Sequence, residues 1–116
     1  MNRVKRGHVY LVNLDPTIGS EIRKTRPCVI VQNDIGNQYS PTTIIAPVTS
    51  GERAIYPVEV EIKCGKSGLE SDSLILLNQI RTVDQKRLVR KLGQAEKEVM
   101  KKVNYAIQIS LGLIEI

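Results

Sequence analysis

Short runs of Val, Ile and Leu, separated by Gly, Pro, Asn and Asp, fill most of the first eighty positions of this chain. Runs of this length between turn-forming residues are typical of a small all-β unit. The clearest run, residues 58–62, alternates apolar and acidic side chains, so one face of that strand must be dry and the other wet. The other predicted strands are residues 9–13, 28–32, 42–48 and 73–77, and residues 79–83 either continue the last strand or pair with it.

The segments between these strands carry the signals of loops and turns. Residues 17–25 form a polar, basic loop that contains Gly19, Arg23 and Lys24. Residues 33–37, Asn-Asp-Ile-Gly-Asn, are predicted to be a turn or loop because their side chains cap the backbone locally. The run at 28–32 is nearly all apolar, which predicts a strand buried on both faces.

The periodicity changes from Gln94 onward, where apolar residues recur at helical spacing. These residues are Val99, Val103, Ala106, Ile107, Leu111 and Ile114, and Ile109, Leu113 and Ile116 widen the apolar face towards the end. The chain is therefore predicted to be mainly β with a C-terminal α-helix, folded as a small barrel that closes its exposed sheet edges. The helix face is wider than one small sheet needs, so part of it is expected to contact a second subunit.

Length and composition narrow the function. With 116 residues, the chain is predicted to form one domain, residues 1–116. Lys and Arg number 17 against 12 Asp and Glu, and this formal charge of +5 favours an anionic partner. Two cysteines and one histidine, His8, are too few soft ligands for a structural zinc site. No secretion signal or membrane-spanning run is recognised, so a cytoplasmic location is expected.

Several motifs, spread in order over the whole chain, resemble those of the MazF/PemK toxins, a family that includes Kid and EndoA. They are Lys5-Arg6-Gly7-x-Val9-Tyr10, Leu14-x-Pro16-x-x-Gly19-Ser20-Glu21, Arg26-Pro27-x-Val29-x-Val31-Gln32-Asn33-Asp34, Pro47-Val48-Thr49 and Ser73-Leu74-Ile75-Leu76-x-x-Gln79-Ile80-Arg81-Thr82. The chain departs from the family's pattern at His8, usually acidic, and at residues 22–24, often rich in Gln and Gly. The resemblance implies an SH3-like barrel, a homodimer, a cognate MazE-like antitoxin, and sequence-specific cleavage of single-stranded mRNA without a cofactor or metal.

The resemblance makes Arg26 and Thr49 the catalytic pair. RNA carries its own nucleophile, the ribose 2′-hydroxyl, so a metal-free enzyme needs to align that group and neutralise the phosphorane. A guanidinium grips phosphate oxygens bidentately, and a threonine hydroxyl can hydrogen-bond the same phosphate or the 2′-hydroxyl. The chain offers no acid–base pair of the histidine type, so positioning and electrostatics are expected to supply most of the rate.

Six further residues are predicted to contact RNA: Arg6, Ser20, Glu21, Asn33, Gln79 and Arg81. Glu21 is either a general base or a reader of a base edge. Gln79 and Arg81 alternate with Ile80, so they could equally be the wet face of a strand. Thr49 alone could be a strand-end residue bonded to its own backbone, and His8 is interpreted as structural or solvated.

Two other classes of function remain open at this stage. One is a non-catalytic toxin resembling CcdB, which shares the barrel and binds DNA gyrase, although that role does not need the Arg26–Thr49 pair. The other is a plain RNA-binding barrel. Such modules usually stack bases on aromatic side chains, whereas this chain has four tyrosines and neither Trp nor Phe.

Overall fold

The computed structural model describes residues 4–16, 18–21, 24–51, 54 and 56–115. The predicted positions Thr17, Ile22, Arg23 and Ile116 lie outside these ranges. The strands are β1 (His8–Asn13), β2 (Thr25–Ile30), β3 (Thr42–Ser50), β4 (Glu59–Ile62), β5 (Ser73–Leu76), β6 (Arg81–Asp84) and β7 (Leu88–Gln94). The helices are α1 (Asp34–Tyr39) and α2 (Lys97–Ser110), and single 3₁₀ turns cover Leu77–Gln79 and Gln85–Arg87. Within the described ranges, no helix has the length and apolar character that a membrane crossing requires.

All strand pairs are antiparallel, and β3 is the strand that connects them. The order is β4-β5-β3-β2-β1-β7, with β6 also paired to β3. The first part of β3 pairs with β6, its middle with β2, and its end, from Val48 to Ser50, with β5. The nine residues of β3 therefore carry the chain from one part of the sheet to the other.

The core lies on both faces of the central strands. Cys28 and Ile30 pack into one apolar cluster with Tyr10, Val12, Ile45 and Val83. Val29 and Val31 pack into the other with Val9, Ala46, Val48 and Ile75, and α2 covers that cluster with Val103 and Ala106. Burial on both faces, predicted for residues 28–32, is confirmed for residues 28–31, whereas Gln32 is half-buried and β2 ends at Ile30. The strand itself begins earlier, at Thr25, because Thr25 and Arg26 pair with Asn13 and Val12 of β1.

The loop between β4 and β5 contacts β7, which joins the two ends of the strand path. The Gln94 backbone N–H donates to the Lys66 carbonyl at 3.0 Å. Two glycines permit this approach: a Cβ on Gly93 would lie 2.3 Å from the Lys66 oxygen, and one on Gly68 would lie 2.0 Å from the Leu92 oxygen. Gly68 also has a φ of 75°, which glycine adopts without steric cost.

Four local predictions were wrong or incomplete. Residues 33–37 are not a turn, because Asn33 caps α1 and the buried Asn37 anchors that helix. The segment at 79–83 pairs with β3 rather than β5, since the Leu77–Gln79 turn redirects the chain. Strand β7 was not predicted because its middle residues, Arg90 and Lys91, are both exposed. Helix α2 begins at Lys97 and ends at Ser110, so Leu111 and Leu113 lie beyond it and are exposed.

Candidate active site

Arg26 and Thr49 lie on neighbouring strands in matching positions. Strands β2 and β3 pair Cys28 with Pro47, Val29 with Ala46 and Ile30 with Ile45. Arg26 and Thr49 each lie two positions beyond the last of these pairs, Cys28–Pro47, at the point where β3 goes on to pair with β5. Both residues are half-buried, and both line one cleft of about 320 Å³. Two residues 23 positions apart in the sequence are thus brought to one place by strand pairing.

Arg26 and Arg81 lie on the same side of the sheet, around the thiol of Cys28. Side chains alternate along a strand, so Arg26 shares a face with Cys28, and Thr49 shares one with Pro47. Burial raises the pKa of Cys28 to about 12, and the positive charges of Arg81 and Arg26 oppose that rise. Two guanidinium groups therefore act on one buried sulfur, so this face is cationic.

A second cleft, of about 370 Å³, begins beside this pair. It is lined by Ser20, Glu21, Pro47, Asn78, Gln79, Ile80 and Arg81. Four of the predicted RNA-contact residues therefore lie together, and Pro47 connects their cleft to Thr49, two positions further along β3. Arg81 also donates from Nη1 to the Leu14 carbonyl at 3.1 Å, which ties the start of β6 to the end of β1. Asn78 was not predicted, although its place next to Gln79 in the motif could have indicated it.

Glu21 forms two hydrogen bonds with the backbone of Ile18. Its Oε1 accepts a hydrogen bond from the Ile18 backbone N–H, and the Glu21 N–H donates to the Ile18 carbonyl at 3.2 Å. The side chain of Ile18 is 83% exposed at the tip of this turn. One oxygen of the Glu21 carboxylate therefore bonds to the backbone at the edge of the second cleft.

Arg6 and Asn33 lie away from both clefts. Arg6 donates from Nε to the Val31 carbonyl at 2.8 Å and from Nη2 to Asn104 Oδ1 at 2.7 Å, joining β2 to α2. Burial lowers its pKa, and the nearby Asp34 carboxylate opposes that change. Val31 is five residues from Arg26, or about 16 Å of extended strand. The Asn33 side chain accepts from the Gly36 N–H at 2.8 Å as the cap of α1. The structure does not bring either residue to the cleft of Arg26 and Thr49.

His8 makes local contacts. Its Nδ1 accepts from the Lys5 N–H at 3.2 Å, and its ring centroid lies 6.2 Å from that of Tyr10. Burial lowers its pKa, as do Lys91 and Lys5, while Asp34 raises it. These contacts agree with the interpretation of His8 as a structural residue.

The far wall of the first cleft consists of residues that sequence reasoning missed. Glu70, Ser71 and Ser73 come from the end of the β4–β5 loop and the start of β5, and Arg90 and Leu92 come from β7. Apart from Ser73, which begins the last motif, no motif contains them, because the loop and β7 meet through the close approach at Gly68 and Gly93. Because strand β7 was not predicted, its residues Arg90 and Leu92 could not be predicted to line the cleft.

The chemistry that these groups offer is recognition of a phosphodiester. A guanidinium and a hydroxyl on one face can bind phosphate oxygens and stabilise charge that develops on them. Among the described residues, no group of three or more His, Cys, Asp or Glu side chains is placed to hold a metal ion. The two clefts present guanidinium, hydroxyl and amide groups together with the carboxylates of Glu21 and Glu70.

The architecture places the chain in a known class of toxin folds. It is similar to a solved structure described as an endoribonuclease in complex with its cognate antitoxin from Mycobacterial species, with a TM-score of 0.78 and 25% identity. That match covers 97% of this chain and 99% of the other. The predicted mainly-β fold with a C-terminal helix is confirmed.

The sequence profile of the PemK-like, MazF-like toxins of type II toxin–antitoxin systems matches residues 5–111. Endoribonuclease EndoA of Bacillus subtilis is 50% identical over 113 residues, covering 97% of each chain. Endoribonuclease MazF of Staphylococcus saprophyticus is 52% identical over 111 residues, covering 95% of this chain and 92% of the relative. The chain therefore belongs to the PemK/MazF toxin family. The predicted family and enzyme class, an endoribonuclease, are confirmed, which favours an enzyme over the gyrase-binding alternative.

Proposed function

We propose that this chain is a metal-independent, sequence-specific endoribonuclease toxin that cuts single-stranded mRNA at a phosphodiester held by Arg26 and Thr49. The observation that supports the proposal is that Arg26 of β2 and Thr49 of β3 line one cleft, next to the cleft that contains Arg81. In water, free guanidinium and hydroxyl groups bind phosphate weakly. Fixed on paired strands, they are aligned before the substrate arrives.

The reaction uses the substrate's own nucleophile. The ribose 2′-oxygen forms a bond to phosphorus while the bond from phosphorus to the 5′-oxygen breaks. The proton leaves the 2′-hydroxyl, and another is delivered to the departing 5′-oxygen. The products are a 2′,3′-cyclic phosphate and a 5′-hydroxyl. Arg26 neutralises the crowded phosphorane, and Thr49 holds a phosphate oxygen or the 2′-hydroxyl in line.

The second cleft supplies the contacts that choose the RNA. Ser20, Glu21, Gln79 and Arg81 present hydroxyl, carboxylate, amide and guanidinium groups to one space beside the catalytic pair. Such groups read the Watson–Crick edges of unstacked bases in single strands. Arg6 and Asn33 have structural roles in this proposal, because their side chains bond to the backbone and helix at the other end of β2.

Two partners complete the proposal. We expect a cognate antitoxin whose acidic, partly disordered tail occupies the cationic clefts, by the same electrostatics that attract RNA. A solved relative is described as bound to its cognate antitoxin. We also expect a cytoplasmic homodimer, since Tyr105, Leu111 and Leu113 on and after α2 leave apolar surface exposed on one chain.

The test is cleavage of a long single-stranded RNA in excess EDTA by the wild type, Arg26→Ala, Arg26→Lys and Lys97→Ala. Loss of one well-aimed donor is expected to slow cutting by about 10²–10³-fold in Arg26→Ala. Arg26→Lys is expected to recover only part of the rate, because an ammonium lacks the planar fork. Lys97→Ala removes a charge from an exposed helix face and should cut normally.

The products and their ionic conditions provide a second check. The new 3′ ends should resist a ligase that needs a 3′-hydroxyl until the cyclic phosphate is opened and the resulting phosphate is removed, and RNA affinity should fall as salt rises. The proposal would be refuted if Arg26→Ala cuts RNA at the wild-type rate, or if EDTA abolishes cutting by the wild type. Absence of cutting with tight binding to gyrase would favour the CcdB-like alternative.

A further inference from the structure

The loop between β1 and β2 brings Ser20 and Glu21 to the second cleft. The base of this loop, residues 13–15 and Lys24, is held by hydrogen bonds to a neighbouring part of the chain that contains Arg87. We propose that Arg87, which lines neither cleft, is a positioning residue for RNA recognition: it fixes the loop base and so holds Ser20 and Glu21 in place to read the RNA. The inference rests on the proposed function, because it takes the second cleft to be the one that chooses the RNA.

Two guanidinium groups bind three consecutive backbone carbonyls at the loop base. Nη1 of Arg87 donates to the Asn13 carbonyl at 3.2 Å and also to the Asp15 carbonyl. Nη1 of Arg81 donates to the Leu14 carbonyl, which lies between them in the chain, at 3.1 Å. Both arginines belong to one stretch of chain, formed by β6 and the 3₁₀ turn after it. Every carbonyl group in this part of the loop base is therefore attached to that stretch.

Lys24 closes the loop base from the other side. Its N–H donates to Asp15 Oδ1 at 3.0 Å, and its carbonyl accepts from the Leu14 N–H at 3.0 Å. Lys24 has a φ of 68°, in the left-handed region that residues other than glycine rarely adopt. Such a conformation persists where surrounding contacts over-determine it, and it is concentrated at functional sites. The contacts that hold Lys24 come from the residues that Arg81 and Arg87 bind, so the two arginines support both ends of the loop.

Arg26 is held by other contacts than those that hold the loop. It pairs with Val12 in the β1–β2 ladder, and the Val12 side chain is fully buried in the core. Ser20 and Glu21 are exposed, and the bonds between Glu21 and the Ile18 backbone close the tip of the loop without attaching it to the sheet. Loosening the base should therefore displace Ser20 and Glu21 more than Arg26. Discrimination between RNA sequences should fall while the rate of the chemical step is retained.

The experiment compares wild type with Arg87→Met, Arg87→Lys and the control Lys86→Met. Cut ends mapped with wild type define the preferred RNA sequence, and kcat and KM are then measured on oligonucleotides that carry that sequence or one changed base. In Arg87→Met, KM for the preferred sequence should rise and the ratio of kcat/KM between the two oligonucleotides should fall about tenfold, with kcat kept within about threefold. Arg87→Lys keeps a donor and should recover part of the ratio. Lys86→Met removes the same charge from an exposed position in the same turn and should match wild type.

Asp15→Ala tests the same loop base without changing Arg87. It removes the bond from the Lys24 N–H to an exposed side chain, so it remains measurable if Arg87→Met does not fold, and it should lower the same ratio. A ratio that stays at the wild-type value in either folded variant overturns the assignment.

The salt dependence of binding distinguishes positioning from direct contact. Each phosphate contact on a single strand contributes about −0.7 to the slope of log affinity against log salt. The slope should be equal in Arg87→Met and Lys86→Met, and a slope flattened by about 0.7 in Arg87→Met alone overturns the proposal, because Arg87 would then contact a phosphate. All measurements start from a wild type that cuts and an Arg26→Ala that does not. Without that difference the proposed function itself fails, whereas with it only the role of Arg87 is at stake.

Discussion

Gly93 permits the backbone contact that connects the fold to the first cleft. A Cβ at this position would lie 2.3 Å from the Lys66 oxygen and 2.5 Å from the Ser67 carbonyl carbon, both backbone atoms. Ordinary contact begins at 3.4 Å, so β7 and the β4–β5 loop must separate by about 1 Å in Gly93→Ala. The φ of Gly93 is not positive, so the substitution tests the close approach and not backbone strain.

The energetic cost of Gly93→Ala follows from three contributions. A separation of about 1 Å stretches the bond from Gln94 N–H to Lys66 oxygen, now 3.0 Å, beyond hydrogen-bonding range, which costs about 1 kcal/mol. Partial exposure of Leu69 and Leu92 costs about 2 kcal/mol more. Replacing glycine within a strand returns about 0.5–1 kcal/mol of backbone entropy. We therefore expect the free energy of unfolding to fall by about 2 kcal/mol.

The assay is urea unfolding at one fixed protein concentration, together with hydrogen exchange of the Gln94 amide. The control is Gly65→Ala. That glycine has a φ of 109° and open space around it, so the substitution strains the turn without pushing the loop from β7. Both variants should lose stability, but only Gly93→Ala should lose protection of the Gln94 amide. A Gly93→Ala variant within about 0.5 kcal/mol of wild type, with that amide still protected, refutes the reasoning.

Two further outcomes are expected. Arg6→Ala should lose about 2 kcal/mol of stability, because Arg6 joins β2 to α2, and Asn33→Ala should lose about 1 kcal/mol, because Asn33 caps α1. Both variants should cut RNA at the wild-type rate per folded molecule. A loss of cutting without a matching loss of folded protein would show that these residues contact RNA. Cys28, with its pKa raised from 9.0 to about 12, stays protonated in the fold while the unfolded thiol ionises. Its stabilising contribution is therefore complete below pH 9 and is lost as pH rises towards 12. At pH 10.5 the wild type should have lost about 2 kcal/mol relative to Cys28→Ala. If the urea midpoints of the two proteins change equally with pH across that range, the burial effect is contradicted.

The sequence determined the class of fold and the family to which the chain belongs. Alternation in residues 58–62 and the helical period after Gln94 are local patterns, and local patterns report which face of an element is buried. The burial of Val60 and Ile62 in β4, and of Val103 and Ala106 in α2, bears them out. Arg26 and Thr49 could be proposed as catalytic residues from the sequence for another reason: each lies within a motif whose neighbouring residues also match the family.

Only the tertiary structure decided which distant residues share a cleft. Arg90 and Glu70 are separated along the chain and meet because Gly68 and Gly93 let a loop touch an edge strand. Arg6 and Asn33 lie in motifs as specific as that of Arg26, yet their side chains bond to backbone and helix at the other end of β2. Strand pairing is a non-local interaction, and no periodicity within either strand encodes its partner or its register.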